Sequence, residues 1–142
     1  MKKYRFRLEA VLRVRRIEEE RARGELLLAN RALAEADAEL ERRLDHYREV
    51  AQPSGSLAHA EYVKVRSLQD AAAAGVVAAG AARLMAEAEA QRKRDLWAAA
   101  ATKVRALERL DEHRRTEHAA GVLHEEILVL DEVAASRLVR VR

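Results

Sequence analysis

Gln52-Pro53-Ser54-Gly55-Ser56 breaks a sequence that otherwise reads as helix in both directions, and reading it as a turn decides the fold. Pro53, the single proline, lacks an amide donor and disfavours helical geometry in the residue before it, while Gly55 permits a tight reversal. Both flanks are rich in Ala, Leu, Glu and Arg, the best helix formers, and aromatic residues make up only 4% of the chain. The predicted fold is therefore all-α, a long antiparallel two-helix coiled-coil hairpin with a longer second helix. Residues 1–142 form a single coiled-coil domain, with helix 1 over about 4–51, a turn at 52–57 and helix 2 over about 58–138.

Outward from the turn, the first arm repeats Leu26, Leu33, Leu40 and Tyr47 every seven residues, with Ala22, Ala29, Ala36 and Val50 at the second seam position. Upstream the frame passes Leu8 and Leu12 and then meets Arg15 and Glu19. In the second arm one frame runs from Tyr62 and Val65 through Ala72, Val76, Ala79, Ala86, Ala90, Trp97, Ala100 and Val104 to Leu107, with Gln69, Arg83 and Lys93 as polar insertions. A reversal about Ser54 would set the Ala-rich residues 71–82 opposite residues 27–38, where leucine can fill what alanine leaves. Gly75 and Gly80 depart from a rigid design, each costing about 1 kcal/mol relative to alanine in a helix interior.

Beyond Asp111 the frame slips to Leu123, Ile127, Leu130 and Ala134, and Gly121 in the slip admits a bend or frayed turn between 111 and 121. At ~1.5 Å per residue the arms measure ~65 Å and ~120 Å. The first arm then ends opposite residues 101–108, and the tail beyond keeps an apolar stripe without an intramolecular partner. Such a stripe marks a binding surface, or a tail that folds back or pairs with a second copy.

With 142 residues, 36% of them charged, the chain suits a narrow buried seam better than a thick core. Cysteine is absent, which removes disulfides and thiolate metal sites and agrees with a cytosolic setting. The basic start is not followed by an apolar run of signal-peptide length, so secretion by that route is not expected. Residues 71–82 are uncharged but shorter than the ~20 residues that span a bilayer, and read as soluble helix.

Charge is unevenly placed. Residues 1–23 carry a net +5 and residues 92–116 a net +4, although the whole chain is only +3. Closing the hairpin brings the two blocks together, making one end strongly positive. That end could meet nucleic acid, an acidic membrane or an acidic protein surface. Interleaved acids and the scarcity of stacking aromatics beyond Tyr4, Phe6 and Trp97 speak against nucleic acid. A solvated face with intrahelical ion pairs is the plain alternative.

Chemistry has little to stand on. No two of His46, His59, His113, His118 and His124 lie three or four residues apart, so no metal site is expected. The glycines form no phosphate loop, the serines have no nucleophile-elbow setting, and a thin coiled coil offers no water-excluding pocket. Neither catalytic residues nor a cofactor is expected.

Two stretches and the close carry a resemblance. Phe6-Arg7-Leu8-Glu9-Ala10-Val11-Leu12-Arg13-Val14-Arg15-Arg16 with Glu18-Glu19-Glu20 resembles the start of the flagellar FliJ family. Lys103-Val104-Arg105-Ala106-Leu107-Glu108-Arg109-Leu110-Asp111-Glu112-His113-Arg114 resembles its second signature, and Leu130-Asp131-Glu132-Val133-Ala134 with Arg137 its close. The resemblance implies a non-enzymatic component of the flagellar type III export apparatus, similar to a rotary-ATPase stalk. It would bind the export ATPase hexamer, the export gate protein FlhA and export chaperones. Its expected place is the cytoplasm, peripheral to the inner membrane at the flagellar base, with no membrane span and no nucleic acid bound. By the same resemblance the ATPase contact falls on Phe6, Leu8, Leu12, Arg13, Arg16, Leu107, Arg109 and Leu110, although Leu8, Leu12 and Leu107 fit seam packing equally well. A gate-facing surface would use Leu44, Tyr47 and Tyr62, of which the two tyrosines also fall at seam positions. The stalk protein of a virulence injectisome and a generic coiled-coil scaffold or nucleic-acid-associated protein are the competing readings.

Overall fold

The computed structural model describes residues 3–52, 55–56 and 58–140, with side chains as far as Ser136. Two helices, α1 (Glu9–Ala51) and α2 (His59–Arg140), pack against each other as an all-α hairpin, and no strand occurs among the described residues. The predicted reversal at Pro53 and Ser54, and Leu57 beside it, lie outside the described residues, as does the side chain of Arg137. Through residues 111–121 the helical assignment of α2 is unbroken.

Contacts divide the chain into two compact units, Glu20–Ala99 and Met1–Glu19 with Ala100–Arg142. In the first, the heptad frames hold. Ala29, Ala72, Ala79 and Ala90 are buried, and Ala22, Leu26, Leu33, Ala36, Leu40, Val65, Val76, Ala86 and Trp97 are half-buried. Alanine occupies the most enclosed positions because a small side chain lets two helix backbones approach closely. The polar insertions sit in the seam without breaking it. Lys93, with only 21% of its side chain exposed, lays its stem along the seam and donates from Nζ to Glu25 Oε2 at 2.6 Å. Arg83 does the same toward Asp37, at 2.6 Å from Nε to Oδ1, and toward Glu87 at 3.0 Å. The hydrogen bond from Lys93 holds the Glu25 carboxyl below its ordinary range, and donation to Asp37 raises the Arg83 guanidinium further.

The register differs from the expected one. Arg83 meets Asp37, Gly75 lies beside Arg43, and Gln69 meets Val50, so residues 71–82 face the last third of α1 rather than residues 27–38. The shift is about ten residues, or ~15 Å of helix. Gln69, ten residues after the start of α2, is what meets the end of α1, so the first turns of α2 extend past that end. The Gln69 amide donates to the Val50 carbonyl at 3.2 Å, satisfying one of the four carbonyls that a helix end leaves open. At the other end of the connection the Ala58 amide donates to the Glu61 carboxylate at 3.2 Å, half of a capping box. Tyr62, beyond the end of α1, has nothing of that helix to pack on and is 57% exposed; Tyr47 is also exposed, at 39%. The seam positions expected of both tyrosines are therefore not occupied by buried rings.

Helix α2 contains a stretch long and apolar enough, by length and composition, to cross a bilayer. Within residues 71–82, Ala72 and Ala79 are buried in the interhelical seam.

Candidate functional site

In the second unit, the helix does not begin near residue 4 but at Glu9. Lys3, Arg5 and Arg7 would bring positive charge to the positive end of the helix dipole, whereas Glu9 is favourable there. Residues 3–6 are instead irregular, and a turn at Arg7 and Leu8 leads into α1, the Leu12 amide bonding the Leu8 carbonyl at 2.9 Å.

Tyr4 fixes this segment. Its hydroxyl donates to Asp111 Oδ1 at 2.8 Å and lies 3.3 Å from the Asp111 carbonyl oxygen. The ring packs 5.7 Å from His118, tilted by 41°, and the Arg115 guanidinium stands 5.7 Å from its centroid. Arg115 also reaches the second oxygen of Asp111 at 2.9 Å. Asp111, Arg115 and His118 recur at four- and three-residue spacing, so one face of α2 presents all three. Desolvation against α2, and then the bond to Asp111, raise the Tyr4 phenol above its ordinary pKa. The same bond, with Arg115 beside it, lowers that of Asp111. Each group thus favours the protonation state that keeps the bond.

With Tyr4 docked, Phe6 is half-buried and Leu8 and Leu110 remain partly open, at 37% and 36% exposure. They share a cavity of about 520 Å³ with Tyr4, Arg5, Arg7 and Arg114. A second hollow of about 470 Å³ is lined by Phe6 with Arg5, Arg7, Glu9, Ala10 and Arg13. The first, where Phe6, Leu8 and Leu110 lie with Arg5, Arg7 and Arg114, suits a ligand that is itself apolar with acidic edges.

The site residues read from the sequence divide by burial. Leu12 is 6% exposed and Leu107 half-buried, in a seam with Ala101 and Val104; packing accounts for both. Phe6, Leu8 and Leu110 gather at the cavity, Arg13 lines the second hollow, and Arg109 is exposed. Arg16 is exposed but tied to Glu108 at 2.8 Å, an ion pair across the two helices. That pair offsets part of the positive charge where the basic blocks meet. In the other unit Leu44 is half-buried, and Tyr47 and Tyr62 are exposed.

Sequence reasoning missed the clasp of Tyr4, Asp111, Arg115 and His118. The signal was slight: an aromatic residue in a basic leader, and an aspartate where the second heptad frame stops. Pairing through the leader also carries the intrachain contact on to His118, past the 101–108 expected from helix length alone.

A family model described as FliJ, flagellar FliJ protein, matches residues 3–142. No curated protein and no solved structure matches the chain.

Proposed function

Because this chain belongs to the FliJ family and is thereby a component of the flagellar export apparatus, we propose that it engages the export ATPase hexamer through the clasp formed by its N-terminal segment and the middle of α2. The observation that carries this reading is the coincidence of both family-like signatures at one surface. Phe6 and Leu8 from the first and Leu110 from the second line one cavity, edged by Arg5, Arg7 and Arg114. An acidic, apolar loop of a ring-shaped partner fits such a surface, and Arg13 and Arg109 extend it.

The chain then acts as a stalk, without a reaction of its own, at the cytoplasmic face of the membrane. Contact with the export gate protein FlhA is assigned to Leu44 and Tyr47 on α1 and to Tyr62 on the part of α2 that extends past it, supported by the exposure of both tyrosines. Export chaperones are further partners on this reading.

The test is ATP hydrolysis by the cognate export ATPase at low salt, with and without the protein. Arg13 and Arg109 are the residues to reverse, since changing Arg16 would also set a carboxylate against Glu108. Arg13→Glu with Arg109→Glu should weaken binding about tenfold and remove the stimulation, with helical content unchanged. Stimulation equal to that of the unaltered protein would overturn the assignment.

A further inference from the structure

Every residue from 123 to 136 is exposed, and Leu123, Ile127 and Leu130 form a stripe at 60%, 52% and 67% exposure. Residues 119–136 carry Glu125, Glu126, Asp131 and Glu132 and neither lysine nor arginine. A 3.6-residue period places Glu126 along one edge of the stripe and Asp131 along the other. This is the complement of the clasp, where Phe6, Leu8 and Leu110 are edged by Arg7 and Arg114.

The tail cannot fill the clasp of its own chain. Leu110, Arg114 and the stripe all belong to α2, and an unbroken helix cannot turn back on itself within ten residues. Direct pairing of two tails is also disfavoured, because it would gather the carboxylates of both copies with no cation between them. Two α2 helices laid antiparallel satisfy the chemistry instead. Each tail then lies on the clasp of the other copy, and one two-fold axis makes both contacts at once.

We infer that residues 123–136 of one copy dock on the arginine-rimmed clasp of a second copy, giving a symmetric dimer. In the dimer the surface assigned to the ATPase is covered, so that dissociation precedes engagement. Self-association is measured without the ATPase, and its failure leaves the ATPase assignment standing.

Sedimentation of the purified full chain tests this. At low salt a concentration-dependent monomer–dimer equilibrium is expected, shifting toward monomer as salt rises. Glu126→Lys with Asp131→Lys should weaken the dimer about tenfold, as should Arg7→Glu with Arg114→Glu. Mixing the two variants should restore it, because the lysine tail then faces the glutamate clasp while the native tail faces the native clasp. Circular dichroism verifies that each variant remains helical. A chain that stays monomeric at low salt, a dimer indifferent to salt, or a mixture no more dimeric than its components would each overturn the inference. The salt response of the unaltered chain needs no variant to fold.

Discussion

Between Glu20 and Ala99 the hairpin is held by a repeating seam; in the unit formed by Met1–Glu19 and Ala100–Arg142 a short seam gives way to a clasp and then to an uncovered helix. The first region closes its seam with alanine where the helices come nearest and with long cations along it, while its exposed apolar side chains, Leu28, Val77, Leu84 and Met85 among them, lie off that seam. The second leaves Phe6, Leu8, Leu110 and the Leu123–Ile127–Leu130 stripe accessible among opposite charges. A seam of this kind specifies shape, whereas a surface of this kind specifies partners.

The contrast can be broken by substitution. Leu12→Ala, at the most enclosed leucine of the clasp-bearing unit, should cost about 3 kcal/mol in denaturant unfolding. Ala90, only 2% exposed, has no room to grow, so Ala90→Leu should cost about 2 kcal/mol by overpacking. Equal tolerance of both changes would mean that neither seam is close-packed. In the opposite direction, Gly80→Ala adds a methyl with nothing within 4 Å, and Gly75→Ala adds one at ordinary contact with the Arg43 side chain, 3.6 Å away. Each should stabilise by about 0.5–1 kcal/mol. If export by the cell falls as stability rises, the glycines serve a looseness that the seam alone does not reveal.

Smaller effects belong to the clasp. Tyr4→Phe removes the hydroxyl that Asp111 accepts from, so amide exchange over residues 3–8 should quicken while unfolding of Glu20–Ala99 is unchanged. Titration should act on the same bond from both sides. The depressed Asp111 contributes above the ordinary carboxylate range and loses its effect as pH falls through its lowered value. Tyr4, with its pKa raised, contributes below the ordinary phenol range and loses its effect as pH rises through the raised value. Amide chemical shifts of residues 3–8 should therefore move beyond each limit, and a Tyr4→Phe chain that shows the same two movements would contradict the role given to this bond.

The fold was legible because heptads state themselves: the frames through Leu26, Leu33 and Leu40 and through Ala72, Ala79 and Ala86 are the seam. Register was not legible, since it depends on how far the first turns of α2 extend past the end of α1, and no periodicity encodes that length. Tyr62 shows the consequence, holding a seam position in sequence and an exposed one in space. At the candidate site, Phe6, Leu8 and Leu110 could be read from their signatures. Tyr4 and Asp111, 107 residues apart, could not, because a single long-range hydrogen bond leaves no pattern in either neighbourhood.

Hydrogen–deuterium exchange of the full chain, alone and with the export ATPase, tests the central claim that the clasp is the ATPase-facing surface. Added protection is predicted over residues 5–16 and 105–115, with exchange across residues 30–90 unchanged. Protection confined to the seam or to the region of Tyr47 and Tyr62, with residues 5–16 exchanging as in the isolated chain, would contradict it.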